Sequence, residues 1–256
     1  MIEFLKRGLQ LEHSQENADL DAPETTLIHR NIILSKPFLK KIYEKWYADL
    51  MKNLSPSAIV VEIGSGGGFL KDIYPNVTSS DILPLPHCDL TLDATAMPFE
   101  NNTLGAVVMV NVFHHIPDCA AFLKEANRTL CVGGKIVMVE PANCAWSRLI
   151  YQNLHHEPFD PTVEKWTFDS TGPMSSSNQA LPFIVFERDA IKFEKEFPQL
   201  RVVRKSYHTP LTYLLSGGVS MRSLVPSGSF EWLTKLETLV SSRRFNMFFT
   251  LEIEKF

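Results

Sequence analysis

The sequence predicts an α/β protein with a mostly parallel sheet and helices on both of its faces. Three observations carry this. Continuous apolar, β-branched runs occur at 58–64 (AIVVEIG), 104–111 (LGAVVMVN) and 135–141 (KIVMVEP). Such runs mark strands buried on both faces. Helical patterns lie between them, as crossover connections between parallel strands require. Glycine-rich turns at 64–68 and 133–134 punctuate the alternation.

Length and composition bound the rest. A chain of 256 residues, 45% apolar and 21% charged, holds one large domain or one domain with a sizeable insertion. The net charge of −4 and the lack of a Lys/Arg run give no reason to expect a nucleic-acid partner. No window approaches the ~20 apolar residues of a membrane span, and the N-terminus lacks a secretory pattern. Cys88, Cys119, Cys131 and Cys144 form no C-x-x-C pair. They read as buried thiols in a reducing cytoplasm rather than as zinc ligands or a disulfide framework.

Along the chain, residues 1–30 are polar and without a clear period, and read as a loose arm. Ser35 as N-cap and Pro37 in the first turn open an amphipathic helix. Its apolar residues at 38, 39, 42, 43, 46, 47, 50, 51 and 54 trace one face. It either closes over a site or covers the sheet. Strand 58–64 follows, then a short helix FLKDIY, and a second strand NVTSSDI that ends at Asp81–Ile82. After strand 104–111 and FHHIP, Asp118 caps a helix broken by VGG, and KIVMVEP is the next strand. From 141 to 187 the rhythm fails. This stretch is rich in Pro, Ser and aromatics, and long insertions of this kind are functional or mobile. A helix (DAIKFEKEFPQL), a strand (RVVRKSYHTPL), a helix capped by Ser229 and a closing strand (FNMFFTLEIEKF) complete the chain. The expected division is an arm and cap helix over 1–56 and a main domain over 57–256, with 141–187 inserted.

The glycines of EIGSGGG need a geometric reason, because each costs backbone entropy. A P-loop requires G-x-x-x-x-G-K-[ST], and Lys71-Asp72 does not supply it. A dinucleotide fingerprint G-x-G-x-x-G starting at Gly64 meets Phe69 where its third glycine belongs. A tight strand–helix turn without any ligand is the plainest reading.

Glu62, Gly64, Gly66 and Gly68 in the pattern E-x-G-x-G-x-G resemble the first motif of class I S-adenosylmethionine-dependent methyltransferases, in their broad small-molecule branch. Order and spacing extend the resemblance over residues 58–141. Asp81 lies 17 residues after Gly64 at the end of the second strand. LDATAMPF, LGAVVMVNVFHHI and LCVGGKIVMVEP are similar to the family's later elements, in that order. The resemblance implies a Rossmann-like, seven-stranded, doubly wound sheet with an antiparallel last strand. It also implies S-adenosyl-L-methionine as cofactor. Glu62, Gly64, Ser65, Gly66 and Gly68 would form the cofactor loop, with Glu62 holding it through backbone N–H groups. Asp81 would meet the ribose hydroxyls and Asp93, with Ala94, the adenine, while Ile82 and Asn111 would also contact the cofactor.

The implied reaction is methyl transfer to a small or medium organic molecule. His114 and His115, at the carboxyl end of the fourth strand, are the candidate general bases, or they only shape the loop. His155, His156 and Glu157 are weaker candidates. No [ND]-P-P-[YF], no Pro-Cys and no paired Asp/Asn of the metal-dependent catechol type occur, and no metal is expected. Trp146, Tyr151, Phe159, Trp166 and Phe168 either cap the substrate or form the insertion's own core. The alternatives are a catalytically silent cofactor-binding scaffold and a nicotinamide oxidoreductase. The sequence leaves the oligomeric state open.

Overall fold

The computed structural model describes residues 19–155 and 157–256. The chain order is α1 (Pro23–Ser35), α2 (Pro37–Met51), β1 (Val60–Glu62), α3 (Leu70–Ile73), β2 (Thr78–Asp81), β3 (Leu90–Thr91), β4 (Leu104–Val110), α4 (Cys119–Thr129) and β5 (Leu130–Pro141). Then come α5 (Ala145–Leu154), α6 (Leu181–Phe183), α7 (Ala190–Glu196), β6 (Leu200–His208), α8 (Thr212–Ser216), α9 (Phe230–Val240) and β7 (Phe248–Lys255).

The strands form one sheet in the order β3-β2-β1-β4-β5-β7-β6. The first five strands pair in parallel, while β7 runs antiparallel to both β5 and β6. The strand order reverses between β1 and β4, and in such sheets ligand crevices open there, beyond the carboxyl ends of the strands. Val107, Met109, Val137, Val139, Leu251 and Ile253 are wholly or almost wholly buried, as a sheet covered on its faces demands. Helix α2 buries Phe38, Leu39, Ile42, Trp46, Tyr47 and Leu50 in the same core, following its predicted face.

Several local expectations change. The part of the N-terminal arm that is described forms α1, and residues 1–18 lie outside the described residues. Its apolar period is weak because it buries mainly Thr25, Thr26 and Ile33. Ser35 closes α1 instead of capping α2, and its hydroxyl donates to the Ile32 carbonyl. Pro37 forces this break, because a residue before proline disfavours the helical region and Lys36 is extended. Ser229 is itself helical in a turn of 3₁₀ helix, and its hydroxyl donates to the Pro226 carbonyl, so it does not cap α9. Asp118 does cap α4, accepting from the Ala121 N–H at 2.9 Å. Strand β5 starts earlier than predicted, at Leu130, passing the VGG turn through an irregular register against β4. The 141–187 segment holds α5, α6 and the start of a π-helical turn at Ile184–Arg188, joined by irregular chain. No helix among the described residues is long and apolar enough to cross a membrane.

Candidate active site

A cavity of about 1,000 Å³ opens at the carboxyl ends of β1, β2 and β4. This is the upper end of the range for small-molecule sites. One half is built on the glycine turn, the other on the His114 loop and the insertion.

The glycines serve different needs. A Cβ on Gly64, where φ is +64°, would lie 2.5 Å from a Val112 methyl. One on Gly68 would lie 2.6 Å from the Tyr47 hydroxyl and 2.7 Å from the Ser65 carbonyl. Gly67 is pressed against the α1 backbone at His29 and Arg30. A Cβ on Gly66 would make only ordinary contacts, the nearest at 3.6 Å, but its φ of +44° itself favours glycine. Gly64, Gly67 and Gly68 therefore answer to the protein's own packing, and all four glycines line the cavity.

The acids flank this turn. Glu62 is buried, and its Oε2 accepts from the Ser65 hydroxyl at 2.6 Å. Burial raises its pKa to about 7, against the Ser65 hydrogen bond, which lowers it. No backbone N–H donates to its carboxylate among the described residues; the loop N–H groups go elsewhere. Asp81 takes that role, accepting from Gly66 N–H at 2.8 Å and Leu83 N–H at 2.9 Å. Burial raises the Asp81 pKa, opposed by these two N–H groups. Ile82 stands nearly half exposed on the cavity wall, and Asp93 and Ala94 continue the same wall. Asp93 Oδ1 accepts from both the N–H and the hydroxyl of Thr95 at 2.7 Å, which fixes its turn. Asn111 lines the cavity with φ +55°, and its Oδ1 is buried without a hydrogen-bond partner. An acceptor left in that state fits a donor supplied by a ligand.

Across the cavity the residues come from distant parts of the chain. Glu140, fully buried at the end of β5, accepts from Val112 N–H (2.8 Å) and Phe113 N–H (2.7 Å). Its second oxygen faces His114 Nδ1 at 2.6 Å. His114 Nε2 faces Glu157 Oε2 at 3.2 Å. Burial lowers the His114 pKa, but the Glu140 and Glu157 carboxylates outweigh it and hold it well above an ordinary histidine. Burial and the His114 charge push His115 down to about 4. His115 Nδ1 meets the Ser176 carbonyl at 3.2 Å. Gln179 donates to Glu157 Oε2 at 2.9 Å and sits 2.8 Å from His155 Nδ1. His156 lies outside the described residues.

Of the five insertion aromatics, Tyr151 alone lines the cavity. It stacks on Phe159, and its hydroxyl donates to the Met247 carbonyl. Trp146 donates to the Pro210 carbonyl, and Trp166 donates to Asp189 beneath Lys192. These two are structural. The predicted walls, α2 and 141–187, do contribute Tyr43, Tyr47, Tyr151 and Leu154. Sequence reasoning missed the 213–224 segment, which adds Tyr213, Leu214, Val219 and Met221, and it missed Glu140 and Gln179. An acid closing the apolar run KIVMVE was the available signal for Glu140, since a buried carboxylate needs partners.

The sheet order with a single antiparallel strand, and a glycine turn followed by an acid at the end of β2, define the class I S-adenosylmethionine-dependent methyltransferase fold. Residues 61–138 match the family model described as a methyltransferase domain. No curated protein sequence matches the chain. Among solved structures, geranyl diphosphate C-methyltransferase from Streptomyces coelicolor A3(2) is similar over 93% of this chain and 86% of its own. Its TM-score is 0.54 at 12% identity. A geranyl diphosphate methyltransferase in complex with SAM aligns over 97% and 96% at TM-score 0.53 and 12% identity. A putative methyltransferase from Haloferax volcanii, solved with the Trm112 methyltransferase activator, aligns over 89% and 97% at 0.50 and 16%. The antiparallel β7 also removes the all-parallel sheet that a nicotinamide oxidoreductase would bring.

Proposed function

We propose that the protein transfers the methyl group of S-adenosylmethionine to a small or medium-sized, largely apolar organic molecule. One observation carries this reading: a single cavity joins the Gly66–Asp81–Asp93 wall to the His114–His115–Glu157 cluster. Bound cofactor would bring a methyl group already activated by its sulfonium, so the protein's task is alignment and exclusion of water. Asp81 would accept from the ribose hydroxyls, with Ile82 and Ala94 against the base and Asp93 near its amino group. Asn111 Oδ1 and the Glu62 carboxylate would favour the cofactor's ammonium end. Gly64, Ser65, Gly66 and Gly68 shape the turn that receives it.

On the acceptor side, Leu154, Tyr213, Leu214 and Met221 offer an apolar surface. His114, His115, Glu157 and Gln179 supply the polar end. His114 has both ring nitrogens engaged by carboxylates, so it has no free lone pair with which to remove a proton. Of the two, His115 keeps a neutral Nε2 lone pair, which burial and the His114 charge leave weakly basic. Side-by-side calorimetry with S-adenosylhomocysteine and NAD tests the cofactor reading. Only the first should bind. A screen of apolar phenols, thiols, amines and acids with S-adenosylmethionine then tests turnover. Tight S-adenosylhomocysteine binding with no turnover of any acceptor class would favour a silent binder.

A further inference from the structure

We propose that His114, His115 and Glu157 form a binding site for one divalent transition-metal ion facing the acceptor half of the cavity. The argument starts from tautomers. His114 Nδ1 points at a Glu140 carboxylate oxygen at 2.6 Å, and His115 Nδ1 at the Ser176 carbonyl oxygen at 3.2 Å. Both partners only accept, so both Nδ1 atoms carry hydrogen. In a neutral imidazole the lone pair then sits on Nε2. Yet His114 Nε2 and His115 Nε2 each face an oxygen of the same Glu157 carboxylate, at 3.2 and 3.7 Å. Lone pairs opposed to a carboxylate need positive charge between them.

One proton on His114 supplies part of that charge through Nε2 but leaves the His115 Nε2 lone pair opposed to the same carboxylate, and a second would place two imidazolium rings 4.4 Å apart in a buried pocket. One divalent ion supplies it with both rings neutral. Donors each about 2.1 Å from an ion lie roughly 3.0–3.5 Å from one another. One ligand atom from each of the three residues lies within 4.8 Å of the others. The second layer also fits. A ligating histidine donates its other ring N–H to a carboxylate or a carbonyl, which fixes the ring. Glu140 and Ser176 do this here, and Gln179 steadies Glu157 from the side. Two imidazoles and one carboxylate favour zinc, manganese, iron, cobalt or nickel over magnesium or calcium. All three residues line the cavity, so the remaining coordination positions open toward an acceptor molecule. Cysteine spacing and acid pairs, which gave no expectation of a metal, do not report on a set drawn from residues 114, 115 and 157.

The test uses the full chain, stripped with a chelator and exchanged into chelator-free buffer. It is titrated with Zn²⁺ alone and with Co²⁺ alone, by calorimetry and, for Co²⁺, by visible absorption. One equivalent should bind with a dissociation constant of micromolar or below. His115→Ala and Glu157→Gln should each weaken it at least thirtyfold, and Glu140→Gln about ten- to a hundredfold. Circular dichroism and S-adenosylhomocysteine affinity, measured on the same variants, show that the fold and the cofactor half survive. They also keep this outcome separate from the methyltransfer reading. Since a variant can fail to fold, ¹⁵N spectra of the unmodified protein give a second readout: two Nε2 resonances should move on adding Zn²⁺. Binding of less than a fifth of an equivalent, equal affinity in His115→Ala, or unmoved Nε2 resonances would overturn the site.

Discussion

The two halves of the cavity are built in opposite ways. The cofactor half is local in sequence: Glu62, Ser65, Gly66 and Asp81 lie within one strand–turn–helix–strand unit and bond to one another. The acceptor half is assembled from afar. Glu140 reaches across 26 residues to His114, Glu157 across 43, and Asn178 N–H donates to the His114 carbonyl. Local construction repeats whenever the same turn is used. Long-range construction depends on where an insertion happens to fold.

The sharpest way to break the comparison is to remove the acid on which the acceptor half is organised. Glu140→Ala leaves two buried N–H groups and a buried imidazole without their acceptor. Breaking a buried charged pair on one side costs about 3–5 kcal/mol. Urea denaturation should show a loss of that order. A loss under about 1 kcal/mol would mean that water replaces the carboxylate and that the acceptor half is not organised around it. Trp166→Ala should come close behind, at about 3–5 kcal/mol, because it empties a buried indole site. Since Trp166 does not line the cavity, S-adenosylhomocysteine affinity of the folded variant should stay within a few-fold. A selective loss of turnover at full stability would restore Trp166 to the substrate wall.

This contrast also explains what the sequence made legible. The sheet, its antiparallel last strand and the glycine–Asp81 unit follow from periodicity and spacing within short windows. The glycines carry a second reason that the sequence did not show: Gly64, Gly67 and Gly68 line the cavity, and Val112, α1 and Tyr47 also crowd the place a Cβ would take. No sequence pattern distinguishes a Cβ excluded by a ligand from one excluded by a neighbouring helix. The partners of His114 were hidden for the same reason: contacts across 26 and 43 residues have no period to read. Helix α1 escaped because the side chains it buries are chiefly threonines, which carry little hydrophobic signal.

On the cofactor side, Asp81→Asn keeps an acceptor for one loop N–H but removes the charge offered to the ribose. A hydrogen bond to a charged group is worth roughly 1.5–3 kcal/mol. Part of it survives in the amide, so S-adenosylhomocysteine should bind about tenfold more weakly. Unchanged affinity would remove Asp81 from the site.

Glu62 gives a smaller effect with a definite sign. Its folded pKa, about 7, lies above the ordinary glutamate value of 4.5. The empty protein therefore holds a proton that the unfolded chain releases. The stability this contributes is complete below pH ~4.5 and lost as pH rises through about 7. Glu62→Gln should make the empty protein more stable than its parent above pH 7. A ligand ammonium favours the ionised form instead. Cofactor affinity should fall as pH drops below about 7, and Glu62→Gln should flatten that dependence. A parent affinity already flat between pH 6 and 8 would place the ammonium elsewhere.

The smallest effect concerns the seam where the N-terminal segment meets the insertion. Asp21 Oδ1 accepts from Met174 N–H at 2.7 Å and Ser175 N–H at 3.0 Å. Those hydrogen bonds, with the turn hydrogen bonds of Thr171 to Ser176, hold the 170–176 loop against the cavity mouth. Burial opposes ionisation of Asp21, but the hydrogen bonds from Ser175 and Met174 win and lower its pKa. The loop itself buries little, so its closed form depends on few contacts, which is the condition for local opening at low cost. Asp21→Ala removes a half-buried acceptor, and two N–H groups return to water at about 1 kcal/mol each. Hydrogen exchange at 172–176 should then speed up about three- to tenfold, with β4 and β5 unaffected and cofactor affinity unchanged. If 172–176 in the parent already exchanges as slowly as those central strands, the loop is a fixed wall. The acceptor half would then be as rigid as the cofactor half, whatever the distance in sequence from which it was assembled.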